Sequence, residues 1–335
     1  MAGNHITLRE IAKKANVSVT TASMFLNGKA REHRISPKTC ERLRKVIRQE
    51  NYQPNVNARA MAMKATNLIG CVLRNDLEGS FWVEILSGLN EVFQPHNYHL
   101  VLAVSSGKPE EELKAFEFLH AKGVDAYVWV PVIGNAGAPN LDAIRNLIAG
   151  RPIITMTYLA ENVSGVAIDE EAGGRLVAEY LSSNGHSKVA VVGGNQIFSR
   201  GFHFRQQLIQ AGAEVNMFPN VKSYLPHLRE YTAVFCFSDL LALELYECCA
   251  AKGLKVPRDV SIVGYDNMSF TSLMNPELTT VHQQKRELGQ AGGRLILDLL
   301  AGHAQQARQI KLTPTLIERS SVQNIKTKKN KRRSV

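Results

Sequence analysis

The chain has 335 residues, of which 44% are hydrophobic and 21% charged, a composition typical of a globular protein with room for two or three compact units. No apolar run approaches the roughly 18 residues that a membrane-spanning helix requires, and the first residues lack a secretory pattern, so we expect a cytoplasmic protein. The five cysteines are odd in number and show no CxxC spacing, which favours free thiols in a reducing compartment.

Charge is distributed unevenly along the chain. Residues 1–64 contain 13 Lys and Arg against four Asp and Glu, and residues 326–335 contain six basic residues and no acidic one. The rest of the chain is net negative. A basic N-terminal segment suits a polyanionic partner such as nucleic acid, although a merely solvated basic surface would have the same composition.

Three short helices are predicted in the first 50 residues. Thr7 and Glu10 have the spacing of a capping box, Asn16 tolerates the left-handed conformation that ends a helix, and Ser18 can cap the next one. Ser36 precedes a proline, which predicts a third helix start. The predicted helices run from Leu8 to Ala15, from Val19 to Leu26 and from Pro37 to about Glu50. Two helices about three residues apart, closed by a third, indicate a helix-turn-helix unit over residues 1–51.

Residues 52–65 break this pattern and are predicted to form a hinge of one or two helical turns. From residue 66 onward, apolar runs typical of strands alternate with helical stretches of 10 to 15 residues. Strands are predicted at 68–73, 100–104, 126–132, 153–157, 189–192, 233–237 and 260–263, and helices at 81–93, 110–121, 172–183 and 240–251. This alternation predicts an α/β core, residues 66–323, of two doubly wound parallel-sheet lobes with a ligand cleft between them. Residues 324–335 are predicted to be a basic disordered tail.

The stretch between Leu208 and Ala233 is short for a strand followed by a full crossover helix. Residues 217–221 could form the strand, which leaves only 222–232 for the crossover, and Pro226 disfavours a long helix there. We therefore expect at most two helical turns and one thinly covered face of the second lobe.

The second helix of a helix-turn-helix lies in the major groove, and its N-terminal residues meet base edges. Thr20 offers a hydroxyl, whereas Val19 and Met24 could contact thymine methyl groups. The remaining candidate DNA contacts on or near this helix are polar or basic, and they are Ser18, Thr21, Ser23, Asn27, Lys29, Arg31, His33 and Arg34. The basic side chains among them suit phosphates, which orient a protein without specifying a sequence.

The run from Thr7 to Asn27 resembles the headpiece signature of the LacI/GalR family, T-x-x-D-[VI]-A-x-x-A-G-V-S-x-x-T-V-S-x-x-L-N. Three positions depart from it: Glu10 replaces Asp, Asn16 replaces Gly and Ala22 replaces Val. The segment Tyr52-Gln-Pro-Asn-Val-Asn-Ala-Arg-Ala-Met61 resembles the family's hinge. Further resemblance extends to Ser238-Asp239, Val256 to Asp266 and Leu278-Thr-Thr-Val, nearly the whole chain.

The resemblance implies a minor-groove role for the hinge, with Met61 as a wedge between base pairs. A linker residue without such a role is the alternative for Met61. The other DNA contacts implied by the resemblance lie in the first cap and the hinge, and they are Thr7, Tyr52, Asn55, Ala58 and Arg59.

The resemblance also implies an effector site between the lobes. Arg200 matches the family's arginine in R-x-x-G-[FY]-R, although His203 occupies the glycine position and puts that turn in question. Asp266 matches an aspartate that binds ligand hydroxyls, and the implied aromatic residues are Phe81, Trp82 and Phe235. A bidentate arginine, an aspartate and flat walls suit a polyhydroxylated ring. Alternatively, the aromatics are core and Arg200 forms an ion pair.

Together these features favour a homodimeric, nucleoid-associated transcription regulator, more readily a repressor than an activator, that binds operator DNA and a sugar-like effector. A periplasmic-type binding protein would share the core but leave residues 1–64 without a role. A sugar-modifying enzyme is disfavoured because no phosphate loop, GxSxG elbow or HExxH motif is present. We expect no cofactor and no metal, since His96-x-x-His99 has no companion ligand.

Overall fold

The computed structural model describes residues 6–52, 65–74, 81–133, 138–194, 200–303 and 306–326. The chain separates into two compact units, Met1–Asn67 and Leu68–Val335. The predicted hinge residues Asn55, Ala58, Arg59 and Met61 lie outside the described residues, as does the tail beyond residue 326.

The first unit, the headpiece, contains the three predicted helices, which are α1 (Leu8–Lys14), α2 (Val19–Leu26) and α3 (Pro37–Gln49). The signals that predicted them are present. Thr7 and Glu10 form the capping box, and the side chains of Ser18 and Ser36 accept backbone N–H bonds at the starts of α2 and α3. Asn16 has a φ of 49°, so the left-handed turn between α1 and α2 is confirmed.

The first lobe of the second unit is a six-stranded parallel sheet with helices around it. Its strands are β1 (Leu68–Arg74), β2 (His99–Ser105), β3 (Ala126–Trp129), β4 (Ile153–Met156), β5 (Ser164–Ile168) and β11 (Gln309–Leu312). They are arranged in the order β11-β5-β4-β3-β1-β2, and every neighbouring pair is parallel. The helices of this lobe are α4 (Phe81–Phe93), α5 (Pro109–Ala121), α6 (Leu141–Ile148) and α11 (Lys285–Leu300).

The second lobe has a four-stranded parallel sheet in the order β7-β6-β8-β9 and a two-stranded antiparallel ribbon of β10 and β12. Its strands are β6 (Lys188–Val192), β7 (Glu214–Phe218), β8 (Ala233–Cys236), β9 (Ser261–Val263), β10 (Thr280–His282) and β12 (Thr315–Ile317). Its helices are α7 (Glu170–Ser183), α8 (Arg200–Gln210), α9 (Val221–Tyr224) and α10 (Asp239–Ala251). The seven strands and four helices predicted for the core are confirmed, with every boundary within three residues.

The chain passes between the lobes three times, after β5, after β10 and after β11. Because all strands of each main sheet are parallel, the loops that follow β8 and β9 and the start of α8 lie at the carboxyl edge of the second sheet. That edge is where ligands bind in open α/β sheets.

The short crossover between β7 and β8 contains α9 and a 3-10 turn, Leu225–His227, so the prediction of at most two helical turns is confirmed. Two details of the expectation were wrong. The strand is Glu214–Phe218 rather than 217–221, and the face that was expected to be thinly covered is packed with large side chains. Val221 and Tyr224 are fully buried there, and Leu228 and Tyr231 are almost so. Bulky side chains on a short segment cover the area that a longer helix would otherwise cover.

Residues packed against the second lobe extend beyond residue 323, the predicted end of the core. Residue 324 was expected to begin a disordered tail, but the backbone N–H of Ile325 donates to the carbonyl of Asn184 at 2.9 Å. Lys326 lies against Gly185, where an added Cβ would come 2.8 Å from the lysine side chain. Within the described residues, no helix has the length and apolar character needed to cross a bilayer.

Candidate nucleic-acid interface and effector site

The N-terminal end of α2 carries an exposed face with both apolar and hydroxyl groups. Ala22 is fully buried and packs in the headpiece core with Leu43 and Ile11, so the opposite side of α2 is turned to solvent. On that side Thr20 is exposed and Val19 keeps 43% of its surface exposed. An exposed valine beside a threonine at a helix start provides the apolar and hydroxyl contacts that base edges accept in the major groove.

Several predicted polar contacts already serve the headpiece itself. The Ser18 hydroxyl accepts from the Thr21 N–H at 3.0 Å, and the two hydroxyls are 2.8 Å apart. The Thr7 N–H and hydroxyl donate to the Glu10 carboxylate at 2.7 and 2.9 Å. These bonds lower the pKa of Glu10. Of the Ser18 and Thr21 hydroxyls, one donates its hydrogen to the other. The second O–H, on either Ser18 or Thr21, can donate to a further partner.

The basic residues Lys29, Arg31 and Arg34 are all exposed in the turns between α2 and α3. Asn27 is also exposed, and its amide donates to the Ser23 hydroxyl at 3.4 Å. Met24, Ser23 and Thr21 are partly exposed. All of these residues lie within α2 or in the turns that follow it.

Tyr52 is placed differently from the others. Its ring packs against the apolar core of the headpiece, and its backbone N–H donates to the Ile47 carbonyl at 3.0 Å. Burial of the ring raises the pKa of its hydroxyl. The structure thus gives Tyr52 a packing role at the end of α3, which was not part of the sequence prediction.

In the second lobe, Arg200 and Asp266 lie together, joined by a contact of 3.3 Å between Nη1 and Oδ1. Arg200 is the first residue of α8, and Asp266 follows β9 with an unusual φ of 115°. The sequence did not reveal a third partner, Glu170 at the start of α7, which accepts from Nε at 2.6 Å and from Nη2 at 2.8 Å. His203 causes no break, because α8 continues through it.

The guanidinium of Arg200 contacts two aromatic rings. Its central carbon lies 3.8 Å from the ring centre of Tyr265 and 4.6 Å from that of Phe237. Burial opposes the charge of Arg200, but Glu170, Tyr265 and Asp266 outweigh it and raise the pKa of the arginine. Burial also raises the pKa of Asp266 to about 6, although Arg200 and Lys285 act in the opposite direction.

Asp266 also connects the two lobes through Lys285, the first residue of α11. Lys285 is fully buried, and its Nζ donates to the carbonyl of Asp266 at 2.8 Å and pairs with Glu84 of α4 at 2.9 Å. The Asp266 carboxylate accepts a further bond from the Gln283 amide. Because residues three apart share a helix face, Phe81 lies on the same face of α4 as Glu84.

A second buried carboxylate, Asp239, holds the loop that carries Asp266. Asp239 accepts from the Met268 N–H at 2.8 Å and from the Thr280 hydroxyl at 2.6 Å. A Cβ on Gly264 would come 2.2 Å from its Oδ1, so the backbone passes directly over the carboxylate. Burial and the nearby Asp266 raise the pKa of Asp239 to about 7.

Two aromatic residues expected at the effector site belong to the protein core instead. Phe235 lies within β8, between two neighbouring strands and beneath α8, and is fully buried against Phe204 at 4.8 Å between ring centres. Trp82 is 3% exposed and packs inside the first lobe. Phe81 is only partly buried and contacts Trp82 edge-on at 5.2 Å. The aromatic side chains that do lie beside Arg200 are Tyr265, after β9, and Phe237, after the end of β8.

A helix-turn-helix headpiece with an exposed reading face, followed by a two-lobed parallel α/β core, defines a DNA-binding transcription regulator with a sensor domain. Residues 7–55 match the family described as bacterial regulatory proteins, lacI family, and residues 178–322 match the periplasmic binding protein-like domain. The chain thus combines a DNA-binding domain of the lacI family with a periplasmic binding protein-like domain.

Similarity to known relatives extends along the whole chain. A ribose operon repressor from Haemophilus influenzae is 26% identical over 96% of this chain and 99% of its own length. A transcriptional repressor PurR from Vibrio atlanticus is 28% identical over 95% of this chain and 99% of its own length.

Solved structures share the fold. A Lac repressor dimer bound to operator and an anti-inducer superposes with a TM-score of 0.82 at 24% identity, covering 95% of this chain and 99% of the repressor. A LacI family regulator from Enterococcus faecium with bound ribose gives a TM-score of 0.67 at 25% identity, covering 77% of this chain and 99% of that structure.

Proposed function

We propose that this protein is a homodimeric repressor that binds a pseudo-palindromic operator. A small effector that binds between the core lobes would lower or raise its affinity for the operator. The observation that carries the proposal is the exposed N-terminal face of α2, where Val19 and Thr20 face solvent beside the buried Ala22. Relatives named as repressors, and a related dimer bound to operator, support this function over that of a binding protein without a DNA target.

In the proposed complex, α2 reads bases and the surrounding residues hold the backbone. Val19, Thr20 and Met24 would contact base edges, because they lie on the reading helix. Exposed cations near the end of α2 would contact phosphates and set affinity for all sequences alike. The remaining proposed DNA contacts are Thr7, Ser18, Thr21, Ser23, Asn27, Lys29, Arg31, Arg34 and, in the hinge, Asn55, Ala58, Arg59 and Met61.

The effector half of the proposal rests on Arg200 and Asp266 at the carboxyl edge of the second sheet, with Phe81, at the start of α4 in the first lobe, as the proposed aromatic contact. An effector that binds both lobes changes their closure, and this change would alter the hinge and hence DNA affinity. A related structure holds ribose, which makes a sugar-like molecule the first class to screen. The protein would work in the cytoplasm on the nucleoid and would not be an enzyme.

A charge-matched comparison tests the DNA half. A variant with Lys29, Arg31 and Arg34 changed to Ala should lose operator affinity, and its log affinity should fall less steeply with log salt, by about 0.9 for each phosphate contact removed. The control changes Arg175, Lys222 and Lys252, three exposed cations of the second unit, to Ala and leaves the same net charge. Gel-shift titrations with equal losses in both variants would contradict the proposed interface.

A further inference from the structure

The donors of Arg200 are almost fully used by the protein itself. A guanidinium has five N–H groups. Nε and one N–H of Nη2 bond to Glu170, while Nη1 lies 3.3 Å from the Asp266 carboxylate and 3.5 Å from the Phe237 carbonyl. An anionic ligand could therefore bind the Nε–Nη2 edge of Arg200 only by displacing Glu170.

Glu170 is positioned rigidly for this role. Its carboxylate also accepts from the backbone N–H of Arg200 at 3.2 Å, so it binds both the main chain and the side chain of that residue. The first turns of α7 and α8 nearly touch, since a Cβ on Gly174 would come 2.6 Å from the Arg200 carbonyl. Gly173 allows the same approach to Tyr265, whose hydroxyl would lie 2.0 Å from an added Cβ. Close backbone packing thus holds the bidentate pair in place before any ligand arrives.

The other cation of this network is also engaged. Lys285 is fully buried and donates to the carbonyls of Asp266 and Asn267 and to the Glu84 carboxylate. Three carboxylates, those of Glu84, Glu170 and Asp266, thus face two cations that are already paired. The groups of this cluster that remain available to a ligand are mostly acceptor oxygens. Such oxygens bind N–H and O–H donors and repel anions.

We propose that Glu170 is a built-in carboxylate ligand of Arg200 that sets the chemical class of the effector. The effector is then a neutral or cationic molecule rich in hydroxyl or amine donors, such as a polyol or an amino sugar, and not a carboxylated or phosphorylated one. This inference rests on the proposed function, because it concerns the ligand of the same cleft.

Inorganic phosphate serves as the probe of Arg200. The Glu170→Gln variant removes the internal anion while keeping the side-chain shape, and it should bind phosphate at least about tenfold more tightly than the wild type, as expected when one charge-assisted hydrogen bond is gained. Adding Arg200→Met to that variant should abolish the gain. Glu171→Gln, at the exposed neighbouring position, is the matched control and should behave like the wild type. Calorimetric titration that finds equal phosphate affinity in the wild type and a folded Glu170→Gln variant would overturn the proposal.

A second measurement needs no substitution at Glu170. Thermal-shift titrations of the wild type compare D-ribose with ribose 5-phosphate, and D-glucose and D-glucosamine with glucuronate. Tighter binding of a neutral or amino sugar than of its acidic counterpart supports the proposal, whereas tighter binding of an acidic form that is lost in Arg200→Met refutes it. Gel shifts on the same preparations keep the two proposals separate, since loss of operator binding bears on the DNA-binding function and leaves the phosphate comparison informative.

Discussion

The buried carboxylate of Asp239 should make the stability of this protein depend on pH. Its pKa rises from an ordinary 3.8 to about 7 in the folded state. A group whose pKa is raised by folding stabilises the fold fully below its unfolded pKa, and that contribution is lost as pH rises through the folded pKa. For Asp239 the loss therefore occurs between about pH 4 and pH 7.

The size of the effect follows from the same shift. The pKa of Asp239 rises by roughly three units, and about two of these units fall in the range from pH 5 to pH 7. Each unit corresponds to about 1.4 kcal/mol, so the free energy of unfolding should fall by at most about 3 kcal/mol between pH 5 and pH 8. The Asp239→Asn variant should not show this loss of stability. Its amide oxygen can still accept from the Met268 N–H, and its NH₂ can donate to the Thr280 hydroxyl in place of the bond at 2.6 Å. The variant should therefore gain stability relative to the wild type as pH rises.

Urea unfolding at pH 5 and pH 8 measures this difference. Both tryptophans, Trp82 and Trp129, lie in the first lobe, so circular dichroism, which also reports the second lobe, is the better probe. Comparison with the wild type removes the titration of groups that do not interact with Asp239, whereas the interaction with Asp266 is part of the measured difference. Asp142→Asn, at an exposed position, is the control. If the stability difference between Asp239→Asn and the wild type were the same at both pH values, the assigned role of burial would be refuted.

Three further outcomes are expected. Thr20→Ala should relax discrimination at one base pair per half-site by about 1–3 kcal/mol, and selection from random DNA that returns an unchanged motif would contradict this. Met61→Gly should lose specific operator binding far more than non-specific binding, and circular permutation assays should show a reduced bend, because wedge insertion kinks the duplex. Tyr224→Phe should keep or raise stability by about 1 kcal/mol, since the buried Tyr224 hydroxyl has no hydrogen-bond partner among the described residues; a lower melting temperature in calorimetry would argue against that.

The junction at Asp266 suggests how an effector could reach the first lobe. Its carboxylate contacts Arg200, while its carbonyl binds Lys285, the first residue of α11. Helices α11 and α4 pack backbone to backbone, because a Cβ on Gly289 would come 2.0 Å from the carbonyl of Ile85. A ligand that shifts Asp266 would therefore act on a tightly joined helix pair of the first lobe.

The sequence by itself determined the local structure. The capping box at Thr7, the left-handed Asn16 and the cap at Ser18 depend on residues within a few positions of each other, so they could be predicted and are present. The alternation of apolar runs and helical stretches is likewise a pattern of residues close together in sequence, and it predicted the parallel core. Resemblance to the family indicated Arg200 and Asp266, which the structure brings together.

Only the tertiary structure decided which side chains complete the site. Glu170 reaches Arg200 across 30 positions, and Lys285 joins Asp266 to Glu84 in the other lobe. It also decided that Phe235 is core while Phe237 faces Arg200. Such contacts depend on sheet register and on how closely glycines allow helices to approach. None of these leaves a local pattern in the chain, because the partners are distant in sequence and meet only after the sheets have formed.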